Sequence, residues 1–190
     1  MARTRTFLAV DINAAIRAKA EAMQKRLAEC GAEVKWVTPA SMHLTLLYLG
    51  DVGDSDLADV CKLAKFALRK TDSFRVTFAG LGAFPTPRRP KILWAGLSEG
   101  QAEVANLFTV LEVPLSEAGL YRKEDRPYSP HLTLGRVQDE AGSDLVAPEL
   151  PKHADWTAGT IAVEEVFVMA SELKRDGPEY HTLGRVPLRV

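Results

Sequence analysis

A tetrapeptide that the chain uses twice constrains its fold more than any other feature. His43-Leu44-Thr45-Leu46 in the first half recurs letter for letter as His131-Leu132-Thr133-Leu134 in the second. Pro39 precedes the first copy and Pro130 the second, and both copies read as short apolar strands. Side chains two residues apart in a strand share a side. Each copy therefore presents a histidine and a threonine on one face and turns its two leucines toward a core. Two matching imidazole–hydroxyl pairs, one per half, imply a single cleft about a pseudo-twofold axis.

The segments around the motifs alternate between strand and helix patterns. Thr4 to Ile12 reads as a strand, and Asn13 caps a helix whose apolar face is Ile16, Ala20, Met23 and Leu27, stopped near Gly31. Val34 to Val37 is a short strand in which Trp36 packs. Met42 to Leu49 carries the first motif, and Asp54 caps a second helix with Leu57, Val60, Cys61, Ala64 and Leu68. Phe74, Val76 and Phe78 alternate up to Gly80. The stretch FPTPRRPKILWAGL, with Pro85, Pro87 and Pro90, is expected to be irregular and then extended. Ser98 with Gln101 resembles a capping box for a third helix, which runs to Gly119. Gln138 to Gly159 reads as a loop excursion, Ile161 to Leu173 as one strand and Tyr180 to Leu188 as another, joined by a turn at Asp176-Gly177-Pro178. The sum is an α+β protein, one bilobal domain over residues 1–190, with two mixed or antiparallel sheets facing a cleft and helices outside.

Composition narrows the ligand. A net charge of −1 over 190 residues gives no global attraction to polyanions, so local basic loops must hold any nucleic acid. Cys30 and Cys61 fall within amphipathic patterns and read as free thiols. No apolar run reaches the length of a membrane span and the N-terminus lacks a secretory signal, so a cytoplasmic monomer with no membrane partner is expected.

Histidine titrates nearest neutrality, so a pair offers one base and one acid at the same pH. Hydrolysis of a strained phosphodiester needs that arrangement: one imidazole takes a proton from water and the other protonates the departing oxygen. Thr45 and Thr133 are placed to donate hydroxyls to the non-bridging phosphate oxygens. Such chemistry requires no metal and no cofactor, and no third ligand of zinc type stands near either motif. His181 is followed at once by Thr182, which puts that hydroxyl on the wrong face, and His153 lies in a loop. Arg136 leaves the His/Thr face by strand alternation unless the strand bends. Arg88 and Arg89, with Lys91, form a basic cluster suited to a phosphate-steering rim or to a solvated loop. Tyr128 and Tyr121 could stack on RNA bases or pack internally.

At these residues the chain resembles the 2H phosphoesterase superfamily, named for two His-x-Thr-x motifs. It is most similar to its RNA 2′,3′-cyclic phosphodiesterases, also called the 2′-5′ RNA ligase family. RTFLAVD, VTPASMHLTLLYLGDV, YSPHLTLGRV and the Ser171 to Leu183 segment carry the likeness, which covers almost the whole chain. The resemblance implies the bilobal 2H fold and hydrolysis of a terminal RNA 2′,3′-cyclic phosphate to a 2′-phosphate. By the same implication His43 is the proton donor and His131 the proton acceptor, though a pseudo-symmetric site could run either way. Members of that family are also associated with reversible ligation of RNA ends through a 2′-5′ bond, the same chemistry with a 5′-hydroxyl in place of water, and no P-loop supports an energy-driven version. Two other readings stand beside this one: a phosphodiesterase for small cyclic nucleotides such as ADP-ribose cyclic phosphate, and a non-catalytic RNA- or nucleotide-binding module.

Overall fold

The structure is a computed structural model that describes residues 2–174 and 177–190. Its strands are β1 (Arg3–Asp11), β2 (Val34–Trp36), β3 (His43–Gly53), β4 (Phe74–Thr86), β5 (Arg89–Glu99), β6 (Leu132–Val137), β7 (Thr157–Val163), β8 (Glu165–Lys174) and β9 (Gly177–Pro187). The helices are α1 (Ala14–Ala28), α2 (Leu57–Leu68), α3 (Gln101–Glu117) and α4 (Glu140–Val146). The strands form one sheet in the order β7-β4-β5-β6-β3-β1-β8-β9, with β2 paired to β6, and neighbouring strands run antiparallel. The two expected sheets are thus the halves of one curled sheet, and they meet at the motifs. Among the described residues β3 and β6 share a single register pair, Leu44 opposite Leu132.

The apolar alternation explains which face is covered. Leu44, Leu46, Leu132 and Leu134 are all buried, as are Leu8, Val10, Val166 and Val168 on the flanking strands. Helix α1 lies against β6 and β7, α2 against β9 and α3, α3 against β3, and α4 against β5 and β6. Asn13 accepts a hydrogen bond from the Ile16 amide at 2.9 Å and starts α1 as expected. Ile16, Ala20, Met23 and Leu27 then bury that helix's apolar stripe, each large side chain contributing about 1.5–3 kcal/mol.

Several expectations are corrected. The proline-rich stretch is a regular hairpin: β4 and β5 run to a turn at Pro87-Arg88. Pro85 and Pro90 oppose each other where the register already shifts, so their missing amides cost few ladder bonds. Helix α3 starts after Gly100, whose φ of +83° suits glycine, and not from a Ser98 capping box. Helix α2 is preceded by Asp56, not Asp54, and without a side-chain cap. The Gln138–Gly159 excursion contains α4, which begins where Asp139 accepts from the Gly142 amide at 2.6 Å. The apolar run from Ile161 is two strands, β7 and β8, separated at Glu164. The turn expected at Asp176-Gly177-Pro178 lies partly outside the described residues; Gly177 and Pro178 open β9.

The Leu44–Leu132 pair is the seam between the halves, and both side chains are fully buried. Leu132→Ala is expected to cost about 2–5 kcal/mol in urea unfolding, with loss of the two-half cooperativity visible as a broadened transition.

Candidate active site

Carrying the Leu44–Leu132 register by one residue either way sets His43 across from Thr133 and Thr45 across from His131. All four side chains face away from the helices and are half-buried. The quartet expected from the repeat is therefore assembled on one concave face, at the seam.

The two imidazoles are held in the same way. His43 Nδ1 lies 2.9 Å from the Ser41 carbonyl, and His131 Nδ1 lies 2.7 Å from the Ser129 carbonyl. A carbonyl only accepts, so each Nδ1 carries hydrogen and donates. Each Nε2 is left free to accept a proton when bare and to give one when protonated. The serine two residues before each histidine extends the sequence repeat, although it is the backbone carbonyl that acts.

Aromatic rings wall both histidines, and sequence reasoning missed them. Phe7 stacks on His43 with centroids 4.7 Å apart, and Tyr180 meets the same ring edge-on at 5.1 Å. Phe84 stands edge-on to His131 at 5.0 Å, with Trp94 at 6.2 Å. The Trp94 indole lies across Gly82, where a Cβ would come within 2.1 Å of it, so only glycine fits there. Burial lowers the pKa of both histidines. For His43 the Ser41 bond and Asp11 oppose that effect, while Arg17 adds to it. For His131 the Ser129 bond opposes it, while Arg136 adds to it.

Arg136 joins the cleft because its strand does bend. Thr133 pairs with Trp94 and Arg136 with Ile92, so Leu134 is an extra residue that resets the alternation. The Leu134 carbonyl accepts from the Val37 amide at 2.9 Å and from the buried Gln24 side chain at 2.8 Å. A glutamine on α1 thereby holds the bulge that turns Arg136 inward. Arg17 is a second unforeseen support. It pairs with Asp11 and donates to the Ile12 and Pro39 carbonyls, pinning the end of β1 to the turn before His43.

Other expected residues lie elsewhere. Tyr128 is not free to stack on RNA: its ring stacks on Phe108 at 4.4 Å and its hydroxyl donates to the Thr45 carbonyl at 2.7 Å. Its burial raises the hydroxyl's pKa far above the ordinary value. Tyr121 is buried in the core. Arg88 and Arg89 are exposed at the tip of the β4–β5 hairpin, beyond the row that holds Arg136. His181 is on the outer face opposite Ala170, with Glu172, Glu179 and Lys174 about it. A pocket of about 410 Å³ opens beside His43 and includes Asp11, Arg17, Phe167, Met169, Tyr180 and Arg185 in its wall. A shallower hollow of about 490 Å³ near Lys62 and Gly119 contains neither histidine.

The sequence profile of the 2′-5′ RNA ligase superfamily matches residues 15–175. The chain belongs to that superfamily. It is 33% identical to the RNA 2′,3′-cyclic phosphodiesterase of Methanothermobacter thermautotrophicus, over 94% of this chain and 95% of the relative. It is also 33% identical to the enzyme of the same name from Archaeoglobus fulgidus, over 94% of this chain and 97% of that one. The fold matches the crystal structure of TT0787 from Thermus thermophilus with a TM-score of 0.79 at 30% identity, covering 97% and 98% of the two chains. E. coli LigT in its apo form matches with a TM-score of 0.78 at 25% identity over the whole of both chains. Like these superfamily relatives, the protein is an enzyme. Among the described residues no helix is long and apolar enough to cross a membrane.

Imidazole titration by NMR is expected to give midpoints below 6.5 for His43 and His131, with the Nδ1–H tautomer in the neutral form of both. The unfolded chain then binds more protons below pH 6.5 or so, and stability falls as the pH drops from there through the folded values. Stability that stayed flat across this window would contradict the assignment.

Proposed function

We propose that the protein hydrolyses a terminal RNA 2′,3′-cyclic phosphate to a 2′-phosphate, by general acid–base catalysis between His43 and His131 that uses no metal. The observation that carries this reading is the matched pair of Nδ1–carbonyl bonds. They leave two Nε2 atoms, each beside a threonine of the other strand, free to act on a phosphate between them. The names of the relatives, RNA 2′,3′-cyclic phosphodiesterases, support the substrate.

The reaction divides between the two halves. A water attacks phosphorus as its proton passes to His131 Nε2. The bond from phosphorus to the 3′ oxygen breaks on the opposite side, and His43 Nε2 gives that oxygen a proton. Thr45 and Thr133 hydroxyls donate to the non-bridging oxygens, where charge accumulates. With a 5′-hydroxyl taking the place of water, the same steps in the same direction join two RNA ends by a 2′-5′ bond, and their reversal cleaves it.

Two asymmetries support this order. The departing oxygen belongs to the ribose, so the terminal nucleoside lies on the acid's side, and the pocket of about 410 Å³ opens beside His43. The charges agree: Asp11 favours the protonated form of His43, with partial offset from Arg17, whereas Arg136 favours the neutral form of His131. The setting we propose is a cytoplasmic monomer acting as one bilobal unit.

The test is turnover of a short RNA with a 2′,3′-cyclic end, in EDTA. The wild type is expected to yield a 2′-phosphate, and His43→Ala and His131→Ala each to lose about 10²–10⁴-fold in kcat/KM. Turnover only of small cyclic nucleotides would transfer the mechanism to a different substrate. Binding without turnover of either would leave a nucleotide-binding module and overturn the reading.

A further inference from the structure

The chain between Tyr121 and the second motif strand forms neither helix nor strand, and Arg122 through Pro127 are all exposed. Tyr128 is where it returns to the protein. Its ring lies parallel to Phe108 of α3 with centroids 4.4 Å apart, and its hydroxyl donates to the Thr45 carbonyl at 2.7 Å. Among the described residues this is the only side-chain hydrogen bond from that loop to β3.

The bond falls where the backbone gives little support. β3 and β6 share one register pair, Leu44 opposite Leu132, so little ladder holds the seam beside Thr45. The phenol crosses that seam from the β6 side. A carbonyl fixed in direction fixes the peptide plane that follows Thr45. Threonine is stiff at χ1, so its backbone aims its hydroxyl. Burial raises the pKa of the Tyr128 hydroxyl, which therefore remains a donor wherever the histidines titrate. A phenylalanine at position 128 would keep the stack on Phe108 and leave the Thr45 carbonyl without this donor. Packing by the ring and bonding by the hydroxyl are thus separable. His131 is held independently, by the backbone carbonyl of Ser129.

We propose that Tyr128 is a positioning residue: through the Thr45 carbonyl, its hydroxyl holds the Thr45 hydroxyl toward the phosphate, across the seam from His131. The inference rests on the hydrolase reading above, in which Thr45 donates to a non-bridging oxygen as charge accumulates there. An interaction that strengthens in the transition state acts on kcat more than on substrate binding.

The test is a double-mutant cycle on an RNA with a 2′,3′-cyclic end, with kcat and KM measured separately for the wild type, Tyr128→Phe, Thr45→Val and the double variant. Tyr128→Phe is expected to lower kcat about tenfold and to change KM less than about twofold. Thr45→Val should lower kcat about 10²-fold. In the Thr45→Val background the Tyr128 substitution should change kcat less than about twofold, because the group it positions is gone. The Nδ1–H tautomer of His131, read by NMR, should be the same in Tyr128→Phe as in the wild type. Losses that multiply in the double variant would overturn the inference, as would an unchanged kcat in Tyr128→Phe or an altered His131 tautomer. If Tyr128→Phe did not fold, Phe108→Leu, which loosens the ring and keeps the hydroxyl, should show the same dependence on Thr45; multiplying losses there would overturn the inference too. A wild type that opens no cyclic phosphate would bring down the hydrolase reading and this inference with it. An active wild type with a multiplying cycle would overturn the inference alone.

Discussion

One backbone pairing organises the molecule. Leu44 against Leu132 joins the two halves of the sheet, and antiparallel geometry then sets each histidine across from the other strand's threonine. Because both leucines are buried, their burial drives the same contact that assembles the polar quartet on the opposite face. Packing and site geometry are thereby coupled at two adjacent positions. A one-residue slip would send every side chain to the wrong face.

The pseudo-symmetry stops where the chemistry needs it to stop. Both imidazoles receive the same backbone anchor, the same tautomer and an aromatic wall. Their surroundings then diverge: an Asp11–Arg17 pair and a nucleoside-sized pocket lie beside His43, and Arg136 lies near His131. Titratable groups placed in unlike electrostatic surroundings can take different proton-transfer roles from nearly identical local structure. In the proposed reaction the phosphate sits on the pseudo-axis, and the parts of the substrate that differ lie off it.

The sequence made legible what depends on local period. The motif strands, the first strand and helix α1 with its Asn13 cap follow from alternation and helical spacing within a few residues. The His/Thr quartet was legible for the same reason. Arg136 was not, because its direction depends on a bulge whose carbonyl is held by Gln24, 110 residues away. The aromatic walls come from four strands, and only the register of those strands brings Phe7, Tyr180, Phe84 and Trp94 to the two rings. The β4–β5 hairpin was obscured by prolines that a shifted hairpin end tolerates, and α4 by its shortness. Tyr128 looked like a base platform and is instead a support for Thr45.

The central claim is that His43 protonates the 3′ oxygen while His131 activates water. A cyclic substrate with sulfur replacing that oxygen tests it most directly, since a thiolate departs without a proton. The account predicts that His43→Ala recovers to within about tenfold of wild type on the thio substrate, while His131→Ala keeps its full defect of about 10²–10⁴-fold. Recovery of His131→Ala instead would reverse the roles, and recovery of neither would contradict acid–base division between the two histidines.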